Sequence, residues 1–278
     1  MKFVLFTDDI RDLSIRDACR AAKKAGFDGL DLTLRPGGHV VPENAGPGLA
    51  EAHQVADEEG FAISMATTAI TAADALYAEQ VIDAVHFRIP AIKLGYWHYQ
   101  PFGTAMKQFD EARRKLEGII RLARRYHVRP CVHLHSGKLI ANTPLIYQLL
   151  KDFSPDDVGA YVDTMHMTVE GGDAGWEMAL DLVKPWVALV GVKNFLFHPT
   201  KRDEFGLPIY EPRITPLAEG MVRLPAFFKR LKEIGYDGIV SLHSEYRGDN
   251  SLRRMNTAQI IEQSAADLKF LKGILAKI

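Results

Sequence analysis

The stretch FVLFTDDIRDLSIRDACRAAKKAG, residues 3–26, decides how the chain is read. Phe3 to Phe6 is a short apolar run of strand type. A polar loop follows, and Ser14 then stands at the N-cap of an amphipathic stretch that stops at Gly26. Ser before the first periodic residue and Gly after the last are helix start and stop signals. The stretch is therefore one strand–loop–helix unit.

The same unit recurs along the chain. Strands are expected at residues 30–34, 61–65, 91–95, 129–135, 158–163, 187–193 and 238–243. Helices are expected at 49–60, 72–88, 107–126, 144–152, 175–183, 225–234 and 257–276. Strict alternation implies a parallel sheet with helices outside. Eight units of about 35 residues each in 278 residues fit an α/β fold of the (β/α)8 TIM-barrel type, one domain spanning 1–278. The open doubly wound alternative usually carries a Gly-rich turn after its first strand, and here that strand runs into TDDIRD. The long loop 194–224 carries KRDEFG and reads as a lid.

Composition limits the function. Lys+Arg total 34 and Asp+Glu 35, a net charge of −1, which argues against a nucleic-acid binder. Two cysteines exclude a disulfide framework or a multi-cysteine zinc module. No apolar run is long enough to span a bilayer. MKFVLFTDDI reads as a first strand rather than a leader, so the expected location is cytoplasmic.

In a TIM barrel, chemistry sits at the C-terminal ends of the strands. Those positions hold Arg35 and His39; Lys93, Tyr96, Trp97 and His98; His133, His135 and Ser136; Asp163 and His166; Lys193 and Asn194; and His243, Glu245 and Tyr246. Six of the ten histidines fall there. Residues two apart on a strand share a face, which pairs His133 with His135 and His243 with Glu245. Imidazoles with carboxylates suit a divalent transition metal.

The strand-end residues and the eightfold pattern resemble the xylose isomerase-like sugar phosphate isomerase/epimerase superfamily. The resemblance spans essentially the whole chain. It rests on DLTLRPGGHVVPEN (31–44), HLHSG (133–137), DTMHMTVEGG (163–172), VKNF (192–195) and SLHSEY (241–246). It implies a divalent metal (Mn, Co, Zn or Mg) held by residues of strands five to eight, and a pair of glutamates as acid and base. The family D-x-x-H is present as Asp163 and His166. His133 stands at the strand-five Glu position, Gly191 at the strand-seven His, Asn194 at the following Asp, and His243 at the strand-eight Glu, with Glu245 one step further on the same face. The metal set expected from this carry-over is His133, Asp163, His166 and Glu245. The family quartet is nonetheless broken at Gly191, and a metal-free site is the alternative.

The expected activity is isomerisation or epimerisation of a sugar by proton transfer next to a carbonyl. Glu245 is the expected base, His133 or His243 the acid, and Lys193 a carbonyl-polarising cation. Arg35, His39, Lys93, Trp97 and His135 are the expected substrate contacts. Alternatives are a lyase acting on an oxidised sugar, an apurinic-endonuclease-type nuclease, and a non-catalytic sugar-binding barrel with a decayed metal site. The expected partner is a small sugar, with no nucleic acid and no membrane; the resemblance suggests a homo-oligomer.

Overall fold

The computed structural model describes residues 1–278. Eight parallel strands close a barrel: β1 (Lys2–Phe6), β2 (Gly29–Leu34), β3 (Ile63–Thr68), β4 (Ala91–Lys93), β5 (Arg129–His133), β6 (Gly159–Asp163), β7 (Val187–Val192) and β10 (Ile239–Leu242). Their order around the ring is β1-β10-β7-β6-β5-β4-β3-β2. Eight helices lie outside: α1 (Ile15–Ala25), α2 (Ala45–Glu58), α3 (Ala78–Val85), α4 (Ala105–Arg124), α5 (Thr143–Leu150), α6 (Thr164–Val183), α7 (Leu224–Glu233) and α8 (Thr257–Leu275). The TIM barrel expected from the alternation is the fold.

The local signals act as read. Ser14 accepts a hydrogen bond from Asp17 N, and Gly26 takes the left-handed conformation that ends α1, at φ 90°. Strand β2 is buried along its whole length, as a strand covered on both faces must be. One apolar cluster joins the sheet and the surrounding helices. No helix is long and apolar enough to cross a membrane.

Among the differences from expectation, three have a clear physical reason. Strand β5 ends at His133 rather than residue 135, because His135 N turns away to bond Ile140 O at 2.9 Å. Helix α6 starts at Thr164 rather than 175: the Asp163 side chain caps it through His166 N, and Gly172 (φ 65°) interrupts it. Loop 194–224 contains an antiparallel hairpin, β8 (Asn194–Arg202) with β9 (Pro208–Thr215). Its turn is tied by Asp203, which accepts from Phe205 N and Leu207 N.

Candidate active site

Strands β5, β6 and β10 bring the central side chains together at the C-terminal mouth. His133 ends β5 and Asp163 ends β6. His166 sits in the first turn of α6, so D-x-x-H is also an N-cap. One carboxylate oxygen of Asp163 accepts from His166 N at 3.0 Å, and the other is left for chemistry. His133, Asp163 and His166 are all buried, and their ligand atoms lie within 4.8 Å of one another.

Four buried atoms at this point have no hydrogen-bond partner: His133 Nε2, Asp163 Oδ2, His166 Nε2 and His243 Nδ1. His133 Nε2 is 3.5 Å from Asp163 Oδ2, and His243 Nδ1 is 4.0 Å from it. Unpartnered buried polar groups are costly and rare in native structures. The far side of each imidazole is held by a hydroxyl. Tyr96 OH lies 2.9 Å from His133 Nδ1, Ser136 Oγ 2.9 Å from His166 Nδ1, and Tyr161 OH 2.6 Å from His243 Nε2. Such outer contacts orient histidine ligands. At His166 the weaker 3.4 Å approach of Ser136 N–H favours the opposite tautomer. Ligation through Nε2 there needs the Nδ1 proton directed at Ser136 Oγ.

Burial pushes the His133 and His166 imidazoles well below their ordinary pKa, and nearby Lys side chains add to the shift. Both rings are therefore neutral, as a metal ligand requires. Burial and Lys193 lower His135 to about 4. Lys193 Nζ lies 3.7 Å from Asp163 Oδ2 and 3.3 Å from Glu245 Oε2. Burial opposes the Lys193 charge, but Asp163 and Glu245 outweigh it, so the ammonium is raised above its usual value. Burial also works to raise Glu245, and Lys193 and His243 reverse this, holding the carboxyl well below the usual range.

A cavity of about 210 Å³ opens beside this cluster, with Arg35, Lys93, Tyr96, His135, His243 and Glu245 in its wall. That is room for about seven waters, the scale of a monosaccharide. Phe6 adds an apolar surface, and Asp8, Asp9 and Asn250 add polar groups that the strand-end reading did not name. Arg35 is paired with Asp8 at 2.5 Å. Burial raises the Asp9 carboxyl to about 6. Larger grooves of about 550 Å³ lie elsewhere: two on the outer helices, one of them lined by Pro225, Phe270 and Ile278, and a third past the end of β4, lined by Tyr96, Trp97 and His98.

The expected contacts divide. Arg35, Lys93 and His135 line the cavity. His39 does not; its Nδ1 lies 3.2 Å from Thr33 Oγ1. Trp97 also lies outside the lining, donating its indole N–H to Thr71 O at 3.0 Å, and Tyr96 supplies the aromatic wall instead. Glu245 stands apart from the three clustered ligands, its oxygens on Lys193 and His243. Asp31, also unnamed by the sequence reading, is buried mid-strand and accepts from Thr67 Oγ1 (2.9 Å) and Ser241 Oγ (2.7 Å).

The glycine at position 191 has a structural cause. A Cβ on Gly191 would lie 2.9 Å from Asp163 Oδ2 and 3.1 Å from the Tyr161 ring. The Tyr161 ring crowds the space a side chain at 191 would enter. Gly191→Ala is expected to destabilise the protein by about 1–3 kcal/mol through overpacking, read from urea unfolding. Tyr161→Ala in the same chain should relieve the overpacking part of that loss; a fully additive pair would refute the crowding.

Residues 19–274 match the family model of the xylose isomerase-like TIM barrel. The chain belongs to that family. No curated protein matches the sequence. Solved structures match over nearly the full length at low identity. A 3-keto-D-glucoside 4-epimerase from E. coli is 15% identical, with TM-score 0.71, covering 98% of this chain and 99% of that one. A D-psicose 3-epimerase solved in the presence of D-fructose is 16% identical, with TM-score 0.73 and 99% of each chain covered. A xylose isomerase-like TIM barrel protein from Mycobacterium smegmatis, in complex with magnesium, is 19% identical, with TM-score 0.68, covering 99% and 97%.

Proposed function

We propose that the chain isomerises or epimerises a sugar by proton transfer next to a carbonyl, with a divalent metal held by His133, Asp163 and His166. The observation that carries this reading is the set of unpartnered buried atoms converging on Asp163 Oδ2 beside a cavity that contains an ionised carboxylate. The donor set fits the group: two neutral imidazoles and a carboxylate suit Mn, Co or Zn better than Mg. A decayed binding site would be free to repack so as to satisfy its buried polar atoms. Four unsatisfied ones favour the enzyme over a non-catalytic barrel.

A bound divalent ion supplies Lewis-acid polarisation of a carbonyl oxygen. The chain's own groups do the rest. Glu245, ionised at neutral pH, accepts the proton α to the carbonyl. Lys193 holds Glu245 ionised and fixed, a positioning role rather than direct contact with substrate. Arg35 and Asp8 present donors and acceptors for sugar hydroxyls, and Phe6 and Tyr96 present apolar surface to its C–H faces. Two buried free cysteines accord with a reducing compartment, and we place the protein in the cytoplasm on that basis.

The test is turnover of free ketoses and 3-keto-glucosides with Mn²⁺ or Co²⁺ present; no conversion of any of them would refute the reading. Metal binding has an independent readout. Saturation at a hundred times Kd adds about 2.7 kcal/mol, a Tm rise of roughly 5 °C or more. The absence of any shift with Mn²⁺, Co²⁺, Zn²⁺ or Mg²⁺ would remove the metal from the proposal.

A further inference from the structure

One chemical role at the site is unfilled. Moving a proton from one face of a carbon to the other needs two groups on opposite sides of the substrate. Glu245 supplies one. The family's strand-five glutamate is His133 here, and its free nitrogen is turned toward Asp163, away from the cavity wall. His135 lines the cavity but is neutral down to about pH 4 and carries no second proton to deliver at neutral pH. Its ring also lies against His166, 3.8 Å between centroids. His243 shares the Glu245 wall, 3.4 Å from that carboxylate.

We propose that Lys93 is the second acid/base of an epimerase, facing Glu245 across the barrel mouth. The inference rests on the proton-transfer reading given above and deepens it. Strand β4, which ends at Lys93, lies four places from β10 in either direction around the eight-stranded ring, so the two are diametrically opposed. Lys93 and Glu245 line the same cavity. Lys93 is 2% exposed; the Asp31 and Glu245 carboxylates favour its charged form and Lys193 opposes it. Its Nζ is held over the face of Tyr96, 3.6 Å from the ring centroid. Burial, with Arg35 nearby, lowers its ammonium to about 7, where a lysine both gives and takes a proton.

The step balances without a further reactant. Glu245 takes the α-proton from one face, and the C–H electrons pass into the carbonyl to form an enediolate. The Lys93 ammonium gives a proton to the opposite face as those electrons return. Glu245 is left protonated and Lys93 neutral, and exchange with water restores both. The reverse reaction uses Lys93 as base and Glu245 as acid.

The experiment uses D-fructose and D-allulose separately in D2O with Mn²⁺ present. Lys93→Met removes a buried charge while keeping similar bulk, so the fold should survive. Epimerisation is expected to fall by about a hundred-fold or more. Deuterium should still enter the epimer whose α-hydrogen faces Glu245 and should be lost from the other; Glu245→Gln should reverse that pattern. Conversion within tenfold of the wild type, or equal loss of exchange from both epimers, would overturn the assignment.

A second arm needs no substrate. Acetic anhydride, reaching Lys93 through the cavity it lines, should at pH 7 acetylate it at least about tenfold faster than the exposed Lys107 and Lys151, because only a neutral amine attacks. Labelling no faster than those lysines would also overturn the assignment. If the wild type converts neither ketose, the sugar reading loses support for these substrates, and the labelling result decides the state of Lys93 by itself.

Discussion

Glu245→Gln is expected to lower ketose conversion by about a thousand-fold or more while the protein still folds and still gains stability from added metal. General-base groups contribute on the order of 10² to 10⁴ in rate. Glu245 is the ionised carboxylate of the cavity wall, bonded to Lys193 Nζ at 3.3 Å and 3.4 Å from His243 Nδ1. Glutamine keeps the volume and can still accept from Lys193, but it cannot take a proton from carbon. Lys193 keeps Asp163 as a counter-charge, so no buried cation is stranded. The drop belongs in kcat with KM little changed, the pattern of an interaction made in the transition state. A kcat within tenfold of the wild type would remove Glu245 from the chemistry.

Asp163→Asn should do the opposite: abolish metal-induced stabilisation while leaving the barrel intact. Asparagine is as good an N-cap as aspartate, so the bond from His166 N and the start of α6 are retained. What disappears is the charge on the unpartnered oxygen, around which His133, His243 and Lys193 are arranged. The expected result is an unchanged circular-dichroism spectrum, no Tm rise with Mn²⁺, and loss of turnover. A full metal shift in Asp163→Asn would place the ion elsewhere. The two variants thus separate the proton-transfer group from the ion-holding group.

The sequence made the barrel readable because apolar runs and amphipathic stretches alternate throughout, and because side-chain caps mark several helix starts, Ser14, Asn142, Asp163 and Asn256 among them. The His133–Asp163–His166 cluster was readable because strand ends converge in this fold and because the D-x-x-H spacing matches a capped helix turn. Side-chain direction in loops was not readable. His39 turns to Thr33 and Trp97 to Thr71, and no periodicity governs either segment. Asp31 escaped notice because it sits inside an apolar strand, where the hydroxyls of Thr67 on the adjacent β3 and of Ser241 on β10, two places away, help make a carboxyl tolerable. The crowding of Gly191 by Tyr161 joins residues on adjacent strands that no local motif connects. The hairpin at 194–215 was hidden by prolines and charges in one strand that is mostly exposed and one that is mostly half-buried.

The ring closes where β1 meets β10, with Lys2 opposite Ile239 and Leu5 opposite Leu242. During synthesis, β1 therefore waits for nearly the whole chain before its second neighbour exists. Until then the growing sheet has two open edges, each able to pair with another strand. The apolar residues of β1 and β7 that will flank the seam are then in need of a chaperone or of rapid completion. Vulnerability to misassembly should accordingly peak late in translation, just before β10 is complete, and vanish once the last strand docks.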